Sequence, residues 1–142
     1  MKKHTVLLVD DDPDYLQSNG LALERAGFAV HTAATVETAM VLIRSVCPAV
    51  AVLDVIMDEP DSGFKLARWI RADAKMRNIG IVLLTALNDF NRKQGIAYRF
   101  SDRDRDEMWL PVDRVLNKPV LPATLAAVVQ ELAEGPDAKP SA

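Results

Sequence analysis

The run "VLLVDDDPDYL" (6–16) sets four aspartates within five positions directly behind a stretch of apolar residues. Three later residues complete a chemically suggestive set. Asp54 lies in "AVAVLDV" (49–55), Thr85 in "IGIVLLTA" (79–86), and Lys118 closes "DRVLNK" (113–118). Brought together, Asp10, Asp11 and Asp54 would repel one another by up to a few kcal/mol at about 5 Å, so they require a proton or a cation between them. An all-oxygen site open to water on one side suits Mg²⁺, a hard ion that keeps several waters and shares its shell with a phosphoryl oxygen. A phosphoryl group in transfer needs in-line attack, a cation on its oxygens and further donors for its spreading charge. Asp54 would then be the attacking carboxylate. Mg²⁺ and Lys118 would clamp the oxygens, with Lys118 on the far side of Asp54 from the metal and the Thr85 hydroxyl donating from close by.

Such convergence depends on the elements that carry these residues. Five short runs rich in Val, Ile and Leu are predicted as strands: 4–10, 28–34, 49–55, 79–86 and 113–118. Helical spacing between them predicts helices over Pro13 to Ala26, Thr35 to Val46, Ser62 to Ala72, Asp89 to Tyr98 and Leu121 to Leu132. Pro13 suits a first helical turn, Gly27 follows the first helix, and Thr35 in "TVET" is placed to cap the second. Strict alternation of strand and helix implies an α/β fold, a doubly wound parallel sheet with helices on both faces. Strands that are apolar almost throughout agree with cover on both sides. In such sheets ligands bind outside the carboxyl ends of the strands, where strand order reverses. With the order 2-1-3-4-5, strands one and three are neighbours, and Asp10, Asp11 and Asp54 meet.

Composition narrows the alternatives. A chain of 142 residues with 49% apolar and 26% charged residues suits one compact domain. A formal charge of -3 argues against direct nucleic-acid binding, which needs a basic face. Cys47 is the only cysteine, so an internal disulfide and a thiolate zinc cluster are both impossible, in keeping with a cytoplasmic location. The apolar stretch after "MKKHT" is too short for a signal peptide, and no segment reaches the roughly 20 apolar residues of a membrane span. Residues 1–134 are expected to form the domain and the polar tail 135–142 to be disordered. About 26 residues separate the fourth strand from the fifth, more than one helix and two loops need, so part of 98–113 reads as an insertion.

The motifs "LLVDDD" (7–12), "VLDVIMDEPDSG" (52–63), "LLTAL" (83–87) and "LNKPV" (116–120) fall in order at the strand ends, and over residues 4–133 the chain resembles the response-regulator receiver domains of two-component signalling. That resemblance implies a flavodoxin-like fold. It makes Asp54 the phosphoacceptor, phosphorylated from the histidine of a sensor kinase or phosphotransfer protein. It assigns Asp10, Asp11, Asp54 and the backbone carbonyl of Ile56 to Mg²⁺, Thr85 to the switch hydroxyl and Lys118 to the family's lysine, followed by a bond to Pro119 that is usually cis. Such a domain catalyses only its own phosphorylation and dephosphorylation and is not otherwise an enzyme. The chain is expected to work as a stand-alone receiver whose output is contact with a further, unidentified protein.

Departures from the family pattern are informative. Asp58 follows Met57 where proline is usual, Gly63 lies one residue further from Asp54 than usual, and Val115 stands where an aromatic often reports phosphorylation. The usual output face is therefore expected to be altered. Apolar Ile56 and Leu87, at positions that tune water access in the family, predict slow self-dephosphorylation.

Other readings compete with parts of this one. Asp12 and Asp14 suit helix-start chemistry, where acids cap amides and complement the dipole. A calcium loop starting at Asp10 fails, because Tyr15 stands where glycine is needed and Leu21 where glutamate belongs. A haloacid-dehalogenase-like phosphatase would use Asp10 as nucleophile and Asp12 as general acid, but has Asp14 at the usual Thr or Val position. A phosphorylation-independent interaction module on the same scaffold is the alternative of a different class. His4 and His31 lack metal-ligand spacing, "DRDRDE" (102–107) reads as a solvated loop, and Trp69 and Trp109 as packing residues, Trp109 being the better interface candidate.

Overall fold

A computed structural model describes residues 4–55, 62–85, 112–118 and 120–134. Along the chain these form β1 (Thr5–Val9), α1 (Pro13–Arg25), β2 (Ala29–Ala33), α2 (Val36–Val46), β3 (Val50–Asp54), α3 (Ser62–Ala72), β4 (Gly80–Thr85), β5 (Arg114–Asn117) and α4 (Pro122–Glu134). All five strands pair in parallel in the order β2-β1-β3-β4-β5, the doubly wound arrangement expected. The strands lie about a residue inside the predicted runs, β1 and β5 leaving the polar ends His4, Asp10, Asp113 and Lys118 outside the ladder.

Period-two alternation divides the core into two layers. Leu7, Val9, Ala51, Leu53, Ile81, Leu83 and Val115 face Ala39 and Ile43 of α2 and Leu66, Ala67 and Ile70 of α3. Their neighbours Val6, Leu8, Val50, Val52, Val82 and Leu84 face Leu16 and Leu23 of α1 and Leu125, Val128 and Val129 of α4. The central strands β1, β3 and β4 are thus dry on both faces and carry no polar stripe, while the edge strands β2 and β5 are partly exposed.

Helix ends follow the sequence signals closely. Asp12 caps α1, its carboxylate accepting from the N–H groups of Asp14 at 3.0 Å and Tyr15 at 3.4 Å. Past its C-cap Ala26, the N–H of Gly27 donates to Glu24 and that of Phe28 to Leu23, with Gly27 at φ 103°. This is a Schellman closure, and its left-handed position costs glycine nothing. Thr35 caps α2 through the Thr38 N–H at 3.1 Å. The predicted start of the last helix at Leu121 is corrected to Pro122: Leu121 supplies the carbonyl that accepts from Leu125 and is itself 72% exposed. The same helix runs on to Glu134, beyond the predicted Leu132.

No helix among the described residues is long and apolar enough to cross a membrane. The predicted helix over Asp89 to Tyr98, residues 98–111 of the long segment with Trp109, and the tail 135–142 lie outside the described residues.

Candidate phosphoacceptor site

Register brings the acids together. β1 pairs with β3 so that Val9 lies opposite Leu53, and one step further along both strands are Asp10 and Asp54. The same alternation carries Asp10 beyond Leu8, Asp54 beyond Val52 and Lys118 beyond Leu116, all on the face covered by α1 and α4. Neighbouring strands lie about 4.8 Å apart, so the carboxylates converge without any special loop.

Asp10 and Asp54 are 1% and 7% exposed, while Asp11 stands out at the rim. One carboxylate oxygen from each lies within 4.8 Å of the others. Three hard oxygen donors at this spacing, two walled in and one facing water, fit a small divalent cation such as Mg²⁺ that retains waters. The Asp10 N–H donates to Ala33 at the end of β2, and Asp10 Oδ1 accepts from the Asp12 N–H at 3.0 Å, so the buried acid is held from both ends.

Lys118 reaches both acids: its ammonium bridges them, 2.8 Å from Asp10 Oδ2 and 3.5 Å from Asp54 Oδ2. Two neighbouring buried carboxylates draw the nearest mobile positive charge between them. Burial acts to lower the lysine's pKa, but the hydrogen bond to Asp10 and the charges of Asp54 and Asp10 outweigh it and hold the pKa above the usual lysine value. The main chain reinforces the position, the Lys118 N–H donating to the Thr85 carbonyl at 2.7 Å. Thr85 itself is 1% exposed and ends β4. Ile56, Leu87 and Pro119 lie outside the described residues.

Two contributors were not anticipated. Gly63, in the first turn of α3, donates its N–H to Val55 at 2.9 Å. A Cβ added there would lie 2.5 Å from the Asp54 carbonyl oxygen and 2.8 Å from Val55 Cα, so only glycine lets the helix seat against the acceptor's backbone. In sequence it stood out only as the glycine of "DSG" (61–63), noted above for its spacing from Asp54. Tyr15 places its ring 4.7 Å from the Lys118 ammonium. Burial, then the nearby charges of Asp10 and Asp54, push its phenol above the ordinary tyrosine value. Asp12, by contrast, is committed to capping α1, which removes it from the general-acid role of a dehalogenase-type phosphatase.

A parallel sheet of order 2-1-3-4-5 with two acids after β1, one ending β3, a threonine ending β4 and a lysine after β5 defines a receiver-type domain. Residues 6–102 match the response regulator receiver domain family, and the chain belongs to that family. It is 32% identical to the transcriptional regulatory protein GltR of Pseudomonas aeruginosa, over 90% of this chain and 48% of GltR. An uncharacterized 14.6 kDa protein encoded in the sodA1 3' region of Leptolyngbya boryana is 33% identical over 94% of both chains. Response regulator Rre1 of Synechocystis is 31% identical over 90% of this chain and 51% of Rre1, so the chain spans about half the length of these two regulators. Among solved structures, a putative response regulator from Chloroflexus aurantiacus superposes with TM-score 0.74 at 28% identity, covering 93% of this chain and 98% of that one. The chemotaxis response regulator CheY4 of Vibrio cholerae gives TM-score 0.74 at 25% identity, over 92% and 99%.

Proposed function

We propose that this receiver accepts a phosphoryl group on Asp54 from the phosphohistidine of a sensor kinase or phosphotransfer protein and passes the signal on by protein contact. The observation that carries this reading is the Lys118 ammonium, 2.8 Å from Asp10 and 3.5 Å from Asp54 at the open edge of the sheet. A carboxylate oxygen of Asp54 attacks phosphorus in line; the O–P bond forms as the P–N bond breaks, and the imidazole leaves with the bonding pair. Lys118 follows the negative charge as it moves from the carboxylate to the phosphoryl oxygens, and the Thr85 hydroxyl donates to one of them. Mg²⁺, held by Asp10, Asp11, Asp54 and the Ile56 carbonyl, would supply further countercharge to those oxygens when bound.

The printed names of GltR and Rre1 describe a transcriptional regulator and a response regulator. For this chain, a net charge of -3 supports an output that runs through a protein partner rather than nucleic acid. A lone cysteine supports action in a reducing cytoplasm.

Incubating the protein with acetyl phosphate and Mg²⁺ tests the reading directly. A single aspartyl phosphate, detected as an 80 Da mass increase roughly equal to one HPO₃ and lost in Asp54→Asn, is the expected result. No adduct at saturating donor overturns it, and steady Asp10-dependent hydrolysis of added phosphate esters would favour the phosphatase.

A further inference from the structure

The aspartate run after β1 and the lysine after β5 are joined by a closed circuit of contacts, two members of which, Asp12 and Tyr15, have no part in phosphoryl transfer as described above, and only Asp12 has another task, the cap of α1. Asp10 Oδ1 accepts from the Asp12 N–H at 3.0 Å, and Asp12 Oδ1 accepts from the Tyr15 N–H at 3.4 Å. The Tyr15 ring then lies 4.7 Å from Lys118 Nζ, and Lys118 returns to Asp10 Oδ2 at 2.8 Å. Four residues thereby fix one another's positions.

A lysine ammonium is a compact charge on a flexible four-carbon stem. Two carboxylates on one side leave it free to slide between them. An aromatic face on another side supplies an attraction that is directional and does not compete for either carboxylate. Tyr15 suits this task because its backbone is pinned by the Asp12 cap and its ring packs on the apolar layer under α1 and α4. Its hydroxyl is buried and has no hydrogen-bond partner among the described residues, so the face of the ring is the part that meets Lys118.

We propose that Tyr15 is a positioning residue that holds the Lys118 ammonium between Asp10 and Asp54, so that the countercharge is already in place when a phosphoryl group arrives. The proposal rests on the reading of Asp54 as phosphoacceptor. It also explains the spacing of the opening motif, in which Asp12 caps the turn that presents Tyr15.

Four variants and one resonance test it. Initial rates of Asp54 phosphorylation by acetyl phosphate at saturating Mg²⁺ are compared for wild type, Tyr15→Phe, Tyr15→Leu, Lys118→Met and Tyr15→Leu in the Lys118→Met background; Tyr15→Met replaces the leucine variant should that fail to fold. Loss of the ring is expected to slow the reaction roughly three- to tenfold, and Tyr15→Phe to restore it. Because the effect acts through the ammonium, Tyr15→Leu should add no further loss once Lys118 is methionine. The ¹⁵N resonance of the Lys118 ammonium should shift in Tyr15→Leu and keep its place in Tyr15→Phe. Wild-type rates in Tyr15→Leu, equal impairment in the phenylalanine and leucine variants, or losses that multiply with Lys118→Met overturn the proposal. Should wild type take up no phosphoryl group, the phosphoacceptor reading fails by itself. The resonance then decides separately: an unmoved signal in Tyr15→Leu overturns the positioning role, and a shifted one supports it.

Discussion

Lys118 and Tyr15 give the site a pH signature whose direction follows from proton linkage. Burial opposes the charge on Lys118, yet Asp10 and Asp54 hold its pKa above the usual 10.5, while burial followed by the same two acids raises Tyr15 above its usual 10.0. Each group binds its proton more tightly in the folded than in the unfolded chain, so the stability it contributes is complete below about pH 10 and falls as pH climbs through its folded pKa. Urea midpoints measured from neutral pH upward should therefore decline above about pH 10, and more shallowly in Tyr15→Phe, which removes one of the two titrations. An equal slope in both proteins would contradict the assignment. Asp10, Asp11, Asp54, Thr85 and Lys118 were readable from sequence because each stands at or just past the end of an apolar run, where a polar residue needs a reason. Tyr15 was not, because an aromatic in a helix's first turn has the same appearance whether it packs or holds a cation.

At the level of elements, the site depends on how closely α3 approaches β3. Gly63→Ala forces a methyl group against the Asp54 carbonyl and should cost about 1–3 kcal/mol in denaturant unfolding while also slowing phosphorylation. Unchanged stability would show that the helix has room to withdraw. At the other end of the sheet Arg71 gathers the turn before β4, donating to the carbonyls of Arg77 at 2.9 Å and Ile79 at 2.7 Å and to Asp113 Oδ2 at 2.8 Å. Asp113 Oδ2 also accepts from the Ile81 N–H at 2.8 Å. This clamp sets where the chain rejoins the sheet, and so fixes the register of β5 that carries Lys118 to its place. Caps at Asp12 and Thr35 and the closure at Gly27 were legible because their signals are local. Cys47 was not: it ends α2 in the left-handed region at φ 52° with no glycine to mark the turn, only the Pro48 that follows.

Across the molecule, folding and cation binding should be linked. A ligand that binds only the folded chain stabilises it by about 2.7 kcal/mol at a hundredfold excess over Kd, enough to raise the Tm by several degrees. Thermal melts with increasing Mg²⁺ should show this rise, and Asp11→Asn, which removes the negative charge of the rim carboxylate while sparing the buried pair, should reduce it. A Tm indifferent to Mg²⁺ in wild type would count against the cation site. Sequence by itself determined the alternation of strands and helices, the two-sided burial of the sheet, the strand-end positions of the acids and lysine, and the helix caps. These rest on periodicity and on groups a few residues apart in the chain. Only the tertiary structure decided that Lys118 bridges Asp10 and Asp54, that Tyr15 faces its ammonium, and that Gly63 must lack a side chain. Those facts depend on contacts of 2.8 to 4.7 Å, and on the close seat of Gly63 against β3, between segments brought together by strand register and helix docking.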